Sequence, residues 1–250
     1  VIADPEGTVL ALFAAFCRIG GCFMALPGLS SARIPVQIRL MIALAVSMAI
    51  LPLMWEMLYA QTKVSGGEYI ILIGGEIFVG VTMGLIARYI TLGLQFAGTA
   101  MSMTIGYNAA PSPGIVEYEP ESDITTIISF TAIVLLFMTD FHHMIIQTLV
   151  RSYEFMPIGG GFQNRMALVS LTDTLASTFI LMLSLASPFI IYGLIFNLSI
   201  GMVNKLAPQI PIYFISIPFI LTGGLILLYL GISDFLILFM DGFFRIFEGQ

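Results

Sequence analysis

Apolar residues run along this chain in long uninterrupted stretches, separated by short segments rich in Gly, Pro and charge. Apolar runs of about 18 residues or more read as membrane-spanning helices, not as the one-sided helices of soluble domains. The pattern predicts about six. The first covers Thr8 to Leu26 and stops at Pro27-Gly28. The second covers Val36 to Tyr59, with Pro35 at a turn or first helical position and Pro52 near its end. The third covers Tyr69 to Ile105. At 1.5 Å per residue this is about 55 Å of helix, against a hydrocarbon core of about 30 Å. It must tilt strongly, break near Gly93 or Gly98, or project beyond the bilayer. The fourth covers Ile124 to Ser152, with an interruption at Thr139-Asp140. The fifth, Thr174 to Asn204, contains Pro188, and the sixth, Pro211 to Met240, contains Pro218. Tyr153 to Asp173, with Pro157 and Gly159 to Gly161, reads as a loop, and Asp241 to Gln250 as a short frayed end. The first run lacks the charged, apolar and small-residue series of a cleaved leader and is expected to be a retained helix.

Composition sharpens this to a fold class. Of 250 residues, 58% are hydrophobic and 10% charged, with a mean hydropathy of +1.01. A soluble domain carries roughly 25% charged residues. The chain is therefore expected to be an all-α membrane protein forming a single membrane domain, 1–250, with several helices kinked or broken by Pro and Gly. The net charge of −6 argues against nucleic acid, which is bound through basic clusters. Lys and Arg are spread too evenly over the loops to orient the helices.

Chemistry-bearing residues are few. Arg18, Glu76 and Arg88 lie inside apolar runs, where a charge costs at least about 2.5–3.5 kcal/mol and faces protein or water. A proton path is one reading. Arginine holds its proton, so a structural ion pair is the better one. Glu76 and Arg88 sit about 120° apart around one helix and do not pair directly. Gly80 and Gly84 form a GxxxG step suited to close helix packing, and Gly193, Ser199 and Gly201 give a similar small face. Asp140, His142 and His143 have metal-ligand character, but adjacent histidines on a helix point about 100° apart and share a metal poorly. Asp140 is expected instead to cap a new helix start. Cys17 and Cys22 read as small buried residues. There is no GxSxG nucleophile turn and no Gly-rich phosphate loop with Lys, so the chain is not expected to be an enzyme or to carry a metal or cofactor.

Residues 106–123, GYNAAPSPGIVEYEPESD, are the one long non-helical stretch. Three prolines and two glycines exclude a continuous helix. Glu117, Glu119, Glu121 and Asp123 alternate, as in an extended, hydrated segment. Bare backbone cannot face lipid, so this segment lies in water, against protein, or inside a pore. It is either a connecting loop or an element that lines or plugs a channel.

Four blocks together resemble the FliR family of flagellar type III export-gate proteins, related to the equivalent component of virulence injectisomes. They are RIGGCFMALPGLSSARIPVQIRLMIALA (18–45), GEIFVGVTMGLIARYITLGLQFAGTAMSMTIGY (75–107), DFHHMIIQTLVRSYEFMPIG (140–159) and GMVNKLAPQIPIYFISIPF (201–219). The triplet Ala207-Pro208-Gln209 with Pro218 is the most specific. Arg18, Pro27, Pro35, Glu76, Gly80, Gly84, Gln95, Gly98 and Gly106 also fall where the family has them. The loop departs from the pattern: Ala110-Pro111 and Pro113 stand where many members have Asp-Pro. Pro218, where a virulence-type protein would carry Lys, points to the flagellar branch.

The resemblance implies a non-enzymatic component of a protein-export gate in the bacterial inner membrane, at the flagellar basal body. It implies helical hairpins joined with FliP-like and FliQ-like subunits in a hetero-oligomer, with FlhB-like and FlhA-like neighbours, lipid around it and unfolded flagellar proteins as cargo. It makes residues 106–123 a plug across the closed pore. The residues concerned would be Gly106, Tyr107, Pro111, Pro113, Gly114, Ile115, Glu117, Glu119 and Glu121. Packing and assembly would fall to Arg18, Pro27, Pro35, Glu76, Gly80, Gly84, Gln95, Gly98, Pro208, Gln209 and Pro218. The alternative from composition alone is a secondary transporter for a small solute, with helices broken at Pro188 and Pro218 around a midplane site.

Overall fold

The computed structural model describes residues 4–30, 34–60, 66–107, 112–113, 120–156 and 164–248. Among them are eight α-helices: α1 (Pro5–Ala25), α2 (Val36–Ile50), α3 (Trp55–Ala60), α4 (Gly66–Thr104), α5 (Asp123–Met138), α6 (Phe141–Phe155), α7 (Asn164–Leu206) and α8 (Ile212–Glu248). A 3₁₀ turn at Leu51–Met54, with Pro52 inside it, carries α2 into α3. Two short strands, β1 (Ser112–Pro113) and β2 (Pro120–Glu121), pair antiparallel. Five helical stretches are long and apolar enough to span a bilayer, and a sixth if α5 and α6, bent by 66°, count as one. The all-helical membrane class therefore stands.

Two boundaries differ from the sequence reading. The fifth helix begins at Asn164, well before Thr174. Gly161 is the last breaker before it, and nothing in Asn164–Asp173 opposes a helix. The sixth helix continues to Glu248 in place of a frayed end. Phe235, Phe239 and Phe243, four residues apart, carry one buried stripe past Asp241. Of the courses left open for the third helix, a break is not the one taken. α4 runs unbroken through Gly93 and Gly98, and α7 and α8 through Pro188 and Pro218. Proline removes the donor for the carbonyl four residues back. At Pro188 that carbonyl, on Ser184, accepts from the Ser187 hydroxyl at 2.8 Å. The sharp break falls at Thr139-Asp140, as read.

The chain divides into two compact units. Unit one comprises residues 1–89 and 136–174, and unit two comprises 90–135 and 175–250. In unit one, α1 packs antiparallel on α2 and α3 and parallel on α4. Gly20 faces Ala43, and the Tyr59 hydroxyl donates to Asp4 at 2.8 Å. The Tyr69 hydroxyl donates to the Leu10 carbonyl at 2.7 Å. Ala11, Ala14, Ala15, Leu51, Met54, Leu58 and Tyr153 form its core. In unit two the end of α4 packs against α5, α7 and α8, with Gly98 on Thr125 and Gly93 on Thr178.

Candidate functional site

The segment 106–123 is held at both of its roots, within unit two. Gly106 ends α4 with φ +76°, the left-handed conformation that glycine adopts without strain. Tyr107 N–H donates to Ser102 O at 2.9 Å and Gly106 N–H to Met103 O at 3.3 Å. This is the Schellman pairing that satisfies the last carbonyls of a helix. At the other root Ser122 caps α5, its Oγ accepting from Thr125 N–H at 3.2 Å. Ser102 and Ser122 hydroxyls lie 2.6 Å apart, and Ser122 and Thr125 hydroxyls 2.8 Å apart. The Tyr107 phenol donates to Asp123 Oδ2 at 3.1 Å. That bond, with the Asp123 charge, holds the Tyr107 phenol above its ordinary pKa. Between the roots, Ser112 pairs with Glu121 and Pro113 with Pro120. Of the expected plug residues, Gly106 and Tyr107 thus lie at one root, and Pro113 and Glu121 in the ladder. Pro111, Gly114, Ile115, Glu117 and Glu119 lie outside the described residues.

The polar contacts continue along the α4–α5 seam. Gly98 meets Thr125, and Gln95, one turn earlier, is buried on the same face. Gln95 Nε2 and Ser129 Oγ have no hydrogen-bond partner among the described residues. With 102 opposite 122 and 98 opposite 125, they stand at neighbouring levels of one antiparallel seam.

A second constellation lies in unit one. Arg18 is 1% exposed and Glu76 3%, so both charges are fully withdrawn from the surface. Arg18 Nε donates to Glu76 Oε2 at 2.7 Å and Nη2 to Oε1 at 2.9 Å, a two-pronged pair. Nη1 donates to Ser152 Oγ and Nη2 to Met156 O, both at 3.0 Å. The Tyr153 ring lies under the guanidinium at 3.6 Å. Arg18 thus ties the middle of α1 to α4 and to the end of α6. The ion-pair partner of Arg18 is Glu76. Ser152 and Tyr153 lie in the third family-like block, but their contact with Arg18, and that of the Met156 carbonyl, could not be read from sequence because 134 or more residues separate them.

Gly80 and Gly84 are sites of close backbone approach inside the chain. A Cβ on Gly80 would overlap the Arg18 carbonyl, and one on Gly84 the Cys22 carbonyl. From the other side, a Cβ on Gly21 would lie 2.8 Å from Ile77 O and 3.2 Å from Val81 N. The α1 and α4 backbones thus touch directly through reciprocal glycines. Pro27 is buried in the turn after α1, and Pro35 occupies the N-cap position of α2 on the surface. Pro208 and Gln209 are exposed in the α7–α8 turn, and Pro218 is exposed within α8.

Asp140 differs from expectation. It stands at the N-cap of α6 in the left-handed conformation, φ 57°, and its side chain makes no cap hydrogen bond. Its carbonyl instead accepts from His143 N–H at 2.9 Å. Donor atoms of Asp140, His142 and His143 lie within 4.8 Å of one another here, although His142 and His143 are adjacent on α6. All three side chains are exposed.

A family model described as bacterial export proteins, family 1, matches residues 9–246. The flagellar biosynthetic protein FliR of Caulobacter vibrioides is 30% identical over 230 residues, 90% of each chain. That of Escherichia coli is 27% identical over 202 residues, 81% of this chain and 76% of its own. That of Aquifex aeolicus is 27% identical over 250 residues, 97% and 94% of the two chains. With its long apolar helices and its match over nearly the whole length, the chain belongs to the FliR family, bacterial export proteins family 1, non-enzymatic membrane proteins of the flagellar export apparatus.

Proposed function

We propose that this chain helps form and close the channel of the flagellar export gate, with residues 106–123 as the closing element. The observation that carries this reading is the pair of fixed roots. A segment that cannot be helical is anchored by the Gly106 turn on α4 and the Ser122 cap on α5, and the two anchors are joined through Ser102. An element that blocks a pore needs a rigid base, and its backbone must avoid lipid. Cargo would be unfolded flagellar protein. The chain would work beside FliP-like and FliQ-like subunits, and FlhB-like and FlhA-like proteins, in the bacterial inner membrane at the basal body. The exposed apolar faces of α7 and α8, with Leu194, Leu198, Phe214, Phe219, Tyr229 and Leu230 on the surface, leave room for such neighbours and for lipid. Pro208 and Gln209 in the exposed turn would belong to the same contacts.

Deleting residues 109–119 leaves both roots in place and removes the span between them. The assembled complex in planar bilayers should then pass ions at rest. Unchanged conductance from a complex of normal composition would refute the closing role.

A further inference from the structure

We propose that Gly193 on α7 and Gly224 on α8 are positioning residues that seat the root of the 106–123 segment. The proposal rests on the closing role just given and adds what sets the closed position. The end of α4 lies against both glycines. A Cβ on Gly193 would meet Thr104 Cβ at 3.0 Å and Thr104 O at 3.1 Å. A Cβ on Gly224 would overlap the Ile105 side chain and lie 3.4 Å from Ile105 Cα. Gly106, the next residue, would bring its own Cβ to 3.3 Å from Ile220 Cγ2 on α8. Ile105 is completely buried. Tyr192, beside Gly193, donates its hydroxyl to Ile220 O at 2.9 Å, and a Cβ on Gly223 would overlap that hydroxyl. The α7–α8 hairpin is therefore cross-tied at the level where it grips residues 104–106.

The consequence is mechanical. The Schellman turn at Gly106 sets the direction in which the chain leaves α4, and residues 104 and 105 set its height. Both depend on how closely the α7 and α8 backbones approach. Packed interiors do not deform smoothly, so added bulk at either glycine shifts the root as a unit. Displacement of the α7–α8 hairpin, by cargo or by a neighbouring subunit, would reach the closing segment by the same route.

The test uses the full chain, extracted in mild detergent with its accompanying subunits. Gly193→Ala, Gly224→Ala and Gly224→Val are compared with Gly201→Ala and Gly231→Ala. The last two lie on the same helices with nothing within 4 Å of the added Cβ. Amide hydrogen exchange is followed at residues 101–107 and 122–125, and resting conductance in bilayers. The seat predicts at least tenfold faster exchange at these amides and a raised conductance for the Gly193 and Gly224 variants, and neither for the controls. Ile105→Ala combined with Gly224→Ala should restore slow exchange, which general unfolding would not. Wild-type exchange in folded Gly193 and Gly224 variants overturns the seat, as does equal acceleration in the controls. If the 109–119 deletion conducts and these variants exchange normally, the seat alone fails. If the variants exchange fast while neither they nor the deletion conduct, the closing role fails and the seat remains.

Discussion

Removing Glu76 should be among the most damaging single changes in unit one. Glu76→Ala takes away two of the four hydrogen bonds that the Arg18 guanidinium donates among the described residues, and its only countercharge among them. The guanidinium is left 1% exposed, so water cannot replace what is lost without opening the packing. Breaking a buried pair from one side costs about 3–5 kcal/mol, roughly a 10²–10⁴-fold loss in the folded-to-unfolded ratio. Replacing the pair by apolar residues of similar volume, Arg18→Met with Glu76→Leu, should cost less than Glu76→Ala alone, because no charge is left stranded. Tyr153 sharpens the argument. Its ring lies against Arg18, but its buried hydroxyl has no hydrogen-bond partner among the described residues. Tyr153→Phe keeps the ring and removes an unsatisfied group, so it should be neutral or stabilising by about 1 kcal/mol. Tyr153→Leu loses the cation–π contact and should cost about 2 kcal/mol. Thermal unfolding of the purified chain in one detergent gives the ranking. The reasoning fails if the double variant is as damaged as the sum of its singles, or if Tyr153→Phe unfolds as readily as Tyr153→Leu.

Two further outcomes follow from local contacts. Gly80→Ala should destabilise by about 1–3 kcal/mol or more, because its Cβ would meet rigid backbone at Arg18 and not a side chain that can turn aside; thermal unfolding of the chain without partners checks it, and a loss seen only in partner binding would contradict the internal packing. Ser187→Ala should cost about 1 kcal/mol by stranding the Ser184 carbonyl beside Pro188, and Pro188→Ala in the same chain should cancel the loss by restoring the helical donor. Thermal unfolding of both variants tests this, and a loss that persists in the double variant would refute it.

The helices were legible because their signal is long and redundant. A dozen or more apolar residues agree on each span, and the capping residues mark the ends. Gly106 and Ser122 could be read as stop and start signals once their neighbours were known. Arg18 and Glu76 could each be recognised as buried charges, since lipid tolerates neither alone. Their pairing could not, because 58 residues separate them and only the fold brings α1 beside α4. The misplaced ends have the same origin. Asn164–Asp173 mixes polar with apolar residues and passes for loop, although it holds no Gly or Pro to stop the helix from starting at Asn164.

Glycine shows most clearly what sequence withholds. GxxxG at Gly80 and Gly84 announces a close approach but not the partner, and a second subunit was as good a reading as a neighbouring helix. The structure assigns those two to α1, within the chain. Gly193 and Gly224 share no such spacing, being on different helices, yet they converge on consecutive residues, Thr104 and Ile105. Their common role exists only in three dimensions. It also differs in kind, because α1 and α4 are locked along a seam, whereas Gly193 and Gly224 grip a helix end that leads directly into the 106–123 segment. Close packing along a helix chiefly sets stability, while close packing at the root of a loop sets where that loop begins. Substitutions at Gly80 and Gly193 should therefore separate experimentally, the first lowering the unfolding temperature and the second shifting exchange at the loop roots.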